Sequence, residues 1–553
     1  MPRVVVLILA ALSLLTVSAA QAREDGFLMF GGPIHAVLDL GDPAPEALVV
    51  RDGKVAFVGR LTEARRLAQG LPEIDLKGAA AYPGFIDSHV HLTGVGMREM
   101  TLNLDQVASV AELVAVVKAR DAAHPGAEPL TGRGWIETHW PEKRFPTRAD
   151  LDAVSTTRPI VLARSDGHAL VLNSAALALA GITRDTPDPA GGRIERDASG
   201  EATGLLVDTA QGLISTKLPP MSWETRKEAL ARATALYAAR GWARGVNMST
   251  SAEDVRALFE LAAEGRLPIR VDVFMTPEDS AEVLKRGPYQ DPTGLVRVRG
   301  VKLYMDGALG SRGAALKAPY SDRADTSGLV IAEHDPTLAL MKRALEVRAQ
   351  IAFHAIGDRA NRLVLDWMIE AFRTNGPGAA ETVWRVEHAQ IIDPDDIAWF
   401  RKSGVVASMQ PSHAIGDLYF APARLGDRRL DGAYAWKTLL DEGVVVAGGT
   451  DAPVEVGDPR IEFYAAAIRK DLQGRSGTDW RPEEALPRDE TLYLFTGAGA
   501  YAVIDKAAGA LTPGAVADIT VFSADILTIP DAGILTVTPL LTIVGGKIVH
   551  DGR

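Results

Sequence analysis

The sequence predicts an α/β protein: a (β/α)8 TIM-like barrel with small β-sheet pieces at both chain ends and an insertion after the first barrel strand. Three observations predict it. Eight apolar segments of strand length alternate with helix-like segments from Phe85 onward. Ionisable residues recur at the C-terminal ends of those segments, where functional groups gather in such a barrel. The chain has 553 residues, far more than the roughly 250 of a bare barrel, so further modules must be present.

The first barrel strand follows the Pro83-Gly84 turn and ends in His89-Val90-His91. Side chains alternate along a strand, so both imidazoles share one face, about 6 to 7 Å apart at Cα. That suits two ligands of one metal ion; two surface histidines would give the same pattern. The second and third runs are ARGVNMS and IRVDVFMT. The fourth, RVRGVKLYMDG, carries Lys302 between Val301 and Leu303. The fifth, AQIAFHAIGD, carries His354, and the sixth, TVWRVEHAQ, carries His388. The seventh is VVASMQP, and the eighth, GVVVAGGTDAP, ends in Asp451. Helix-like stretches such as AEDVRALFELAAEG and LALMKRALEVRAQ lie between them.

In that order the residues resemble the amidohydrolase superfamily of metal-dependent hydrolases, and within it the amidohydrolase 3 branch, which includes N-substituted formamide deformylases. The phrases GRGWIETHWPEKRFPTRADLD, DGHALVLNSAALALAGIT, GVKLYMDGALGSRGAALKAPYSD, FHAIGDRAN, EHAQII, SMQPSHAIGDL and GGTDAPVEVGDP carry the likeness across nearly the whole chain. The resemblance implies a divalent metal, zinc by expectation, with one or two ions per chain. It implies that His89 and His91 hold the more buried ion, that His354 and His388 hold the second, and that Lys302, carboxylated by carbon dioxide, bridges them as an anion. Asp451 touches the first ion and the attacking water. A one-metal site, or a Lys302 that merely pairs with a carboxylate, is the alternative. The second strand departs from the family: Gly241-Trp242-Ala243-Arg244-Gly245-Val246-Asn247 stands where the family has Gly-Ile-Thr-Ser, so no contacts are carried over from it.

The expected reaction is hydrolysis of a C–N bond in an amide-like small molecule. Zinc lowers the pKa of bound water to about 7, making hydroxide available. Asp451 would take the proton and return it to the departing group. A lactone or ester hydrolase on the same site is the runner-up, and an inactive metal-containing binding protein is the third reading. His168, in the phrase SDGH, is expected to reach the pocket as a catalytic residue. His413 in QPSH, Asp306 and Arg312 are weaker candidates, Arg312 either orienting a substrate carboxylate or bracing Asp306. His35, His124, His139, His334 and His550 lack such context and are expected at the surface or in structural roles.

Residues 1–22 read as a signal peptide cleaved after Ala22, because a basic start precedes an apolar run and Ala20-Gln21-Ala22. The run is too short to span a bilayer comfortably, so a periplasmic or secreted protein without a stable membrane anchor is expected. Residues 23–82 and 508–553 hold short alternating runs such as ALVVRDGKVAFVGR and LTIVGGKIVHDGR. The family implies that these ends join as one small β-sandwich beside a barrel spanning 83–507. The stretch of about 95–240 is the expected insertion over the barrel mouth, where specificity should reside. A formal charge of −12 and the absence of Lys/Arg runs argue against nucleic acid. With no cysteine, disulfides, thiolate ligands and lipid attachment are excluded. The expected partner is a small-molecule substrate, with homo-oligomerisation left open.

Overall fold

Eight strands lie at the centre of the chain: β1 (Phe85–Val90), β2 (Trp242–Thr250), β3 (Arg270–Met275), β4 (Val296–Tyr304), β5 (Gln350–Ala355), β6 (Arg385–His388), β7 (Val406–Met409) and β8 (Val446–Gly448). The computed structural model describes residues 26–36, 45–105, 107–165, 167–189, 191–375, 382–477 and 480–553. The expected signal peptide, 1–22, lies outside the described residues. The strands pair in sequence order, every pair parallel. They read as apolar runs because both faces are buried, one under helices and one inside the ring.

The ring closes just beyond β8. Asp451 N–H donates to the His89 carbonyl at 2.7 Å and His91 N–H to the Ala452 carbonyl at 2.8 Å. Asp87 reinforces the closure from β1: its carboxylate accepts Thr450 N–H at 2.9 Å, Thr450 Oγ1 at 2.6 Å and Tyr237 OH at 2.9 Å. Burial pushes the Asp87 carboxyl up to about 6 against those donors.

Helices cover the outside. Ala252–Ala263 follows β2 and starts at Ser251, whose Oγ accepts the Asp254 N–H at 3.1 Å, with Glu253 and Asp254 in the first turn; both features stabilise a helix N-terminus. His334–Glu346 and Asp358–Asn375 flank β5. The main apolar cluster joins the outward faces of the strands, including Val271, Val298, Ile351 and Val386, to Leu258, Met341 and Val364 of these helices. Inside the ring, Ile86, Val246, Met248, Phe274 and Ala352 pack against Ala500 and Val503.

The chain ends form two four-stranded sheets. One orders Lys54–Gly59, Ala47–Arg51, Gly26–Phe30 and Glu73–Asp75; the other orders Lys547–Asp551, Pro539–Val544, Ile519–Phe522 and Ala80–Pro83. A shared apolar cluster takes Met29, Leu48 and Val50 from the first and Ala81, Ile519 and Ile543 from the second. Ala80–Pro83 runs directly into β1, so the second sheet is continuous with the strand that carries His89.

Between β1 and β2 stands a six-stranded sheet within residues 102–208, with two apolar clusters of its own. It is framed by helices Leu92–Met100 and Trp223–Arg240, which pack together so closely that a Cβ on Gly96 would meet the Ala229 carbonyl oxygen at 1.9 Å. Trp223–Arg240 ends at Gly241, whose φ of 104° reverses the chain into β2. Among the described residues no helix is long and apolar enough to cross a membrane.

Candidate active site

The C-terminal strand ends bring His89, His91, Lys302, His354, His388 and Asp451 to one mouth. Two of these positions bend sharply: His388 has φ 72° and Asp451 φ 57°, left-handed conformations uncommon for residues other than glycine. Such strain persists where surrounding contacts over-determine it and is concentrated at functional sites. Asp451 Oδ1 lies 3.1 Å from His91 Nε2 and 3.5 Å from His89 Nε2. Ligand atoms of His89, His91 and Asp451 form one group that would fit a metal ion, and those of His388, His413 and Asp451 form another, each within 4.8 Å.

His89 is fully buried, and its Nδ1 donates to Glu387 Oε2 at 2.6 Å, which leaves Nε2 to face the site. A carboxylate behind a histidine in this way sets its tautomer and raises its strength as a ligand. Glu387 is itself held by Arg385 Nε at 2.6 Å. Burial pushes the Glu387 carboxyl up, but the Arg385 guanidinium and His89 outweigh it and hold it well below the usual carboxylate range. His388 is fixed the same way: its Nδ1 donates to Gln410 Oε1 at 2.8 Å. Burial, then the Lys302 charge, brings His89 down to about 4, and burial holds His354 and His388 well below the usual imidazole value. All three are therefore neutral imidazoles at pH 7, the form that binds metal.

Lys302 is buried, and its Nζ donates to His89 Nε2 at 3.2 Å. Burial brings its amine down to about 8, opposed by Glu387 and Asp451. Burial pushes the Asp451 carboxyl up, yet the imidazoles of His89, His91 and His388 hold it well below its usual value.

The structure separates the weaker candidates. His413, on the helix after β7, stacks on His388 with ring centroids 6.0 Å apart and places Nε2 3.7 Å from Asp451 Oδ2. His168 comes from the insertion, with Nδ1 2.9 Å from Asp208 Oδ1. Asp208 adopts φ 50° and ψ −123°, a sparsely populated conformation for a residue with a side chain. Asp306 is buried and accepts the N–H groups of Ala315 at 2.8 Å, Ile356 at 3.0 Å and Gly357 at 2.8 Å, tying the β4 and β5 loops together. Arg312 does not brace it: its guanidinium pairs with Asp322 at 2.8 Å, a partner ten residues along its own loop. Asn247, on the second strand, accepts Leu92 N–H at 2.7 Å and so supports the turn after His91. His35 is 3.1 Å from Asp525 and stacks on Tyr82, away from these strand ends.

The amidohydrolase family model matches residues 72–550. The chain belongs to the amidohydrolase family. YtcJ of Bacillus subtilis, a protein bearing the amidohydrolase name, is 35% identical over 94% of this chain and 98% of its own length. The N-substituted formamide deformylase of Arthrobacter pascens is 28% identical over 83% of this chain and 86% of its own. The crystal structure of an uncharacterized metal-dependent hydrolase from Pyrococcus horikoshii superposes with a TM-score of 0.76 and 28% identity, covering 92% of this chain and 99% of that one. This amidohydrolase is thus a metal-dependent hydrolase acting on carbon–nitrogen bonds.

Sequence reasoning missed three residues that support the site of this amidohydrolase: Glu387, Gln410 and Asp208. For Glu387 a signal was present, since Arg385 and Glu387 alternate inside an otherwise apolar strand and must answer each other or a third group. For Gln410 and Asp208 no local signal exists, because the histidine each one holds lies 22 and 40 residues away along the chain.

Proposed function

We propose that this amidohydrolase hydrolyses the C–N bond of an amide-like small molecule, with Asp451 as the group that moves the proton. One observation carries the reading: the Asp451 carboxylate stands within 3.1 Å of His91 Nε2, yet Oδ1 is buried and no N–H is aligned on it. Its acceptor capacity is thus directed at the space the histidines surround. His354 Nε2 is likewise buried without a hydrogen-bond partner among the described residues. Imidazoles and a carboxylate that converge on one space are the donor set a divalent cation requires.

His89, His91, His354, His388 and Asp451 would hold one or two ions, zinc by proposal, with a carboxylated Lys302 between two. Bound there, the metal supplies a Lewis acid for the substrate carbonyl and acidifies water at neutral pH. The chain's own groups do the rest. Asp451 accepts a proton from the attacking water and returns it to the departing nitrogen. Glu387 and Gln410 keep Nε2 of His89 and His388 turned inward. Lys302, buried beside His89, would repel a cation as an ammonium, which favours its conversion to a carbamate anion. His168, held by Asp208, reaches over the mouth from the insertion to contact substrate. Residues 1–22 support export to the periplasm or beyond, and N-terminal sequencing of the mature protein tests that directly.

The deciding experiment presents the metal-loaded protein with N-acyl, formamide, cyclic amide and lactone compounds and measures amine release and lactone opening. Amine release is expected. Opening of lactones to hydroxy acids, with no amine formed from any nitrogen compound, would replace the reading with an ester hydrolase. Binding without any turnover would replace it with a binding protein.

A further inference from the structure

The loop after Asp451 carries a carboxylate that the reaction above does not use. Its backbone is clamped. The Glu455 carbonyl accepts Arg98 Nη1 at 3.1 Å, the Val456 carbonyl accepts Arg98 Nη2 at 3.1 Å, and the Val454 carbonyl accepts Ser165 Oγ from the insertion at 2.8 Å. The Glu455 side chain, by contrast, makes no hydrogen bond among the described residues. His413 Nε2 lies 3.7 Å from Oε1, and the side chain is 25% exposed. A Cβ added to Gly416 would meet nothing nearer than this same Oε1 at 3.9 Å, so the space beside it is open.

His413 is the second observation. The residue is 9% exposed, and its Nε2 is buried without a hydrogen-bond partner among the described residues. That atom lies 3.7 Å from Asp451 Oδ2 and 3.7 Å from Glu455 Oε1, within reach of both but too far to bond either. Burial, with the carboxylates of Asp417, Asp451 and Asp105 nearby, pushes the Glu455 carboxyl up to about 7, and His413 opposes that shift. Asp417 is already engaged by Gln390 Nε2 at 2.6 Å and by Tyr434 OH, and Asp105 lies 3.5 Å from Arg98. Glu455 has no such partner. A partly buried carboxylate without donors is costly unless a ligand supplies them, and a cleft lined by one sign of charge concentrates the opposite sign.

We propose that Glu455 and His413 form a substrate subsite beside Asp451 that receives a cationic N–H donor, a primary ammonium or guanidinium carried by the substrate. The subsite rests on Asp451 standing at the reacting centre. Glu455 accepts the charged N–H groups, a strong class of hydrogen bond, and its clamped backbone means little ordering is needed on binding. His413 Nε2 supplies a polar contact between the cation and the carbonyl being cleaved.

The test reads binding rather than turnover. Three acetamides of equal chain length are titrated calorimetrically into the metal-loaded full chain: N-(4-ammoniobutyl)acetamide, neutral N-butylacetamide and anionic 4-acetamidobutanoate. The cation should bind at least tenfold more tightly than the neutral compound and the anion more weakly than either. Glu455→Gln should reduce the cation's advantage to less than threefold. Equal affinities in the native protein, or an undiminished advantage in E455Q, would overturn the subsite. Metal content is measured in His413→Ala as well: retained ions support its place in the subsite, whereas lost ions would make it a metal ligand and overturn that place. Amine release from the same compounds is followed separately. Selective cation binding without amine release would overturn the hydrolytic reading and leave the subsite standing.

Discussion

At the scale of single residues, the chemistry turns on Asp451. Asp451→Asn keeps the side chain's size but removes its capacity to take and return a proton at ordinary pH. Turnover should fall by roughly a hundredfold or more, the scale of losing a positioned proton-transfer group, while metal content measured on the same sample stays near that of the native protein. Near-native turnover with the ions in place would end the proton-shuttle role. Lys302 makes a different demand. If it bridges two ions, Lys302→Ala should drop the content from close to two per chain to one or fewer, and an unchanged value near one would establish a mononuclear site. These residues were legible because each is polar at the end of an apolar run, a local pattern. Their supports were not. Glu387 acts on His89 from a strand almost three hundred positions away, at 2.6 Å, and Arg312 finds Asp322 rather than Asp306, a choice that only the loop's path decides.

At the scale of elements, the eight strands were legible from alternating apolar and helix-like runs, whereas the ionic layer below the site was not. Arg244 on β2, Asp272 on β3 and Arg297 and Arg299 on β4 converge inside the ring: Asp272 Oδ1 accepts Arg297 Nε at 2.9 Å and Arg299 Nε at 2.8 Å. Burial pushes the Asp272 carboxyl up, but the three arginines prevail and hold it at about 2 against an ordinary 3.8. A folded value below the unfolded one stabilises above the unfolded value, and that contribution is lost as pH falls through the folded value. The difference corresponds to about 2 kcal/mol, lost between about pH 4 and pH 2. Asp272→Asn should cost about 3–5 kcal/mol near neutral pH, because it leaves buried guanidinium groups uncompensated. Chemical unfolding at pH 7 and at pH 2.5 should show the gap to the native protein narrowing in acid, and a constant gap would mean that Asp272 is not the titrating partner. The insertion acts at this scale too. His168→Ala should weaken turnover or change substrate preference with bound metal intact, since His168 is held by Asp208 and lies outside the proposed ligand set; full activity on every compound tested would leave it a structural role.

At the scale of the whole molecule, the two chain ends bear on the site because Ala80–Pro83 is at once an edge of the second end sheet and the lead-in to β1. Sequence patterns show short alternating runs at both ends, but pairing across more than four hundred residues has no local signal. The joins are specific. Ile519–Phe522 pairs antiparallel with Ala80–Pro83, Thr520 Oγ1 accepts Phe85 N–H at 3.0 Å and donates to the Gly241 carbonyl at 2.7 Å, and Thr542 Oγ1 donates to the Ala238 carbonyl at 2.6 Å. Arg270 at the start of β3 pairs with Asp518 at 2.7 Å. Removing residues 508–553 would therefore strip the entry points of β1, β2 and β3 of hydrogen-bond partners and expose Met29, Leu48, Val50 and Ala81, which share their apolar cluster with Ile519 and Ile543. An uncovered sheet edge beside exposed apolar residues is an aggregation site. A chain ending at Ala507 should thus accumulate as insoluble protein, and any soluble fraction should hold less than half the metal of the full chain, because His89 and His91 sit on the strand that loses its anchor. Soluble truncated protein with full metal content would show instead that the barrel's own closure, through Asp87, Thr450 and the Asp451 N–H, is enough to hold the ligand strand in place.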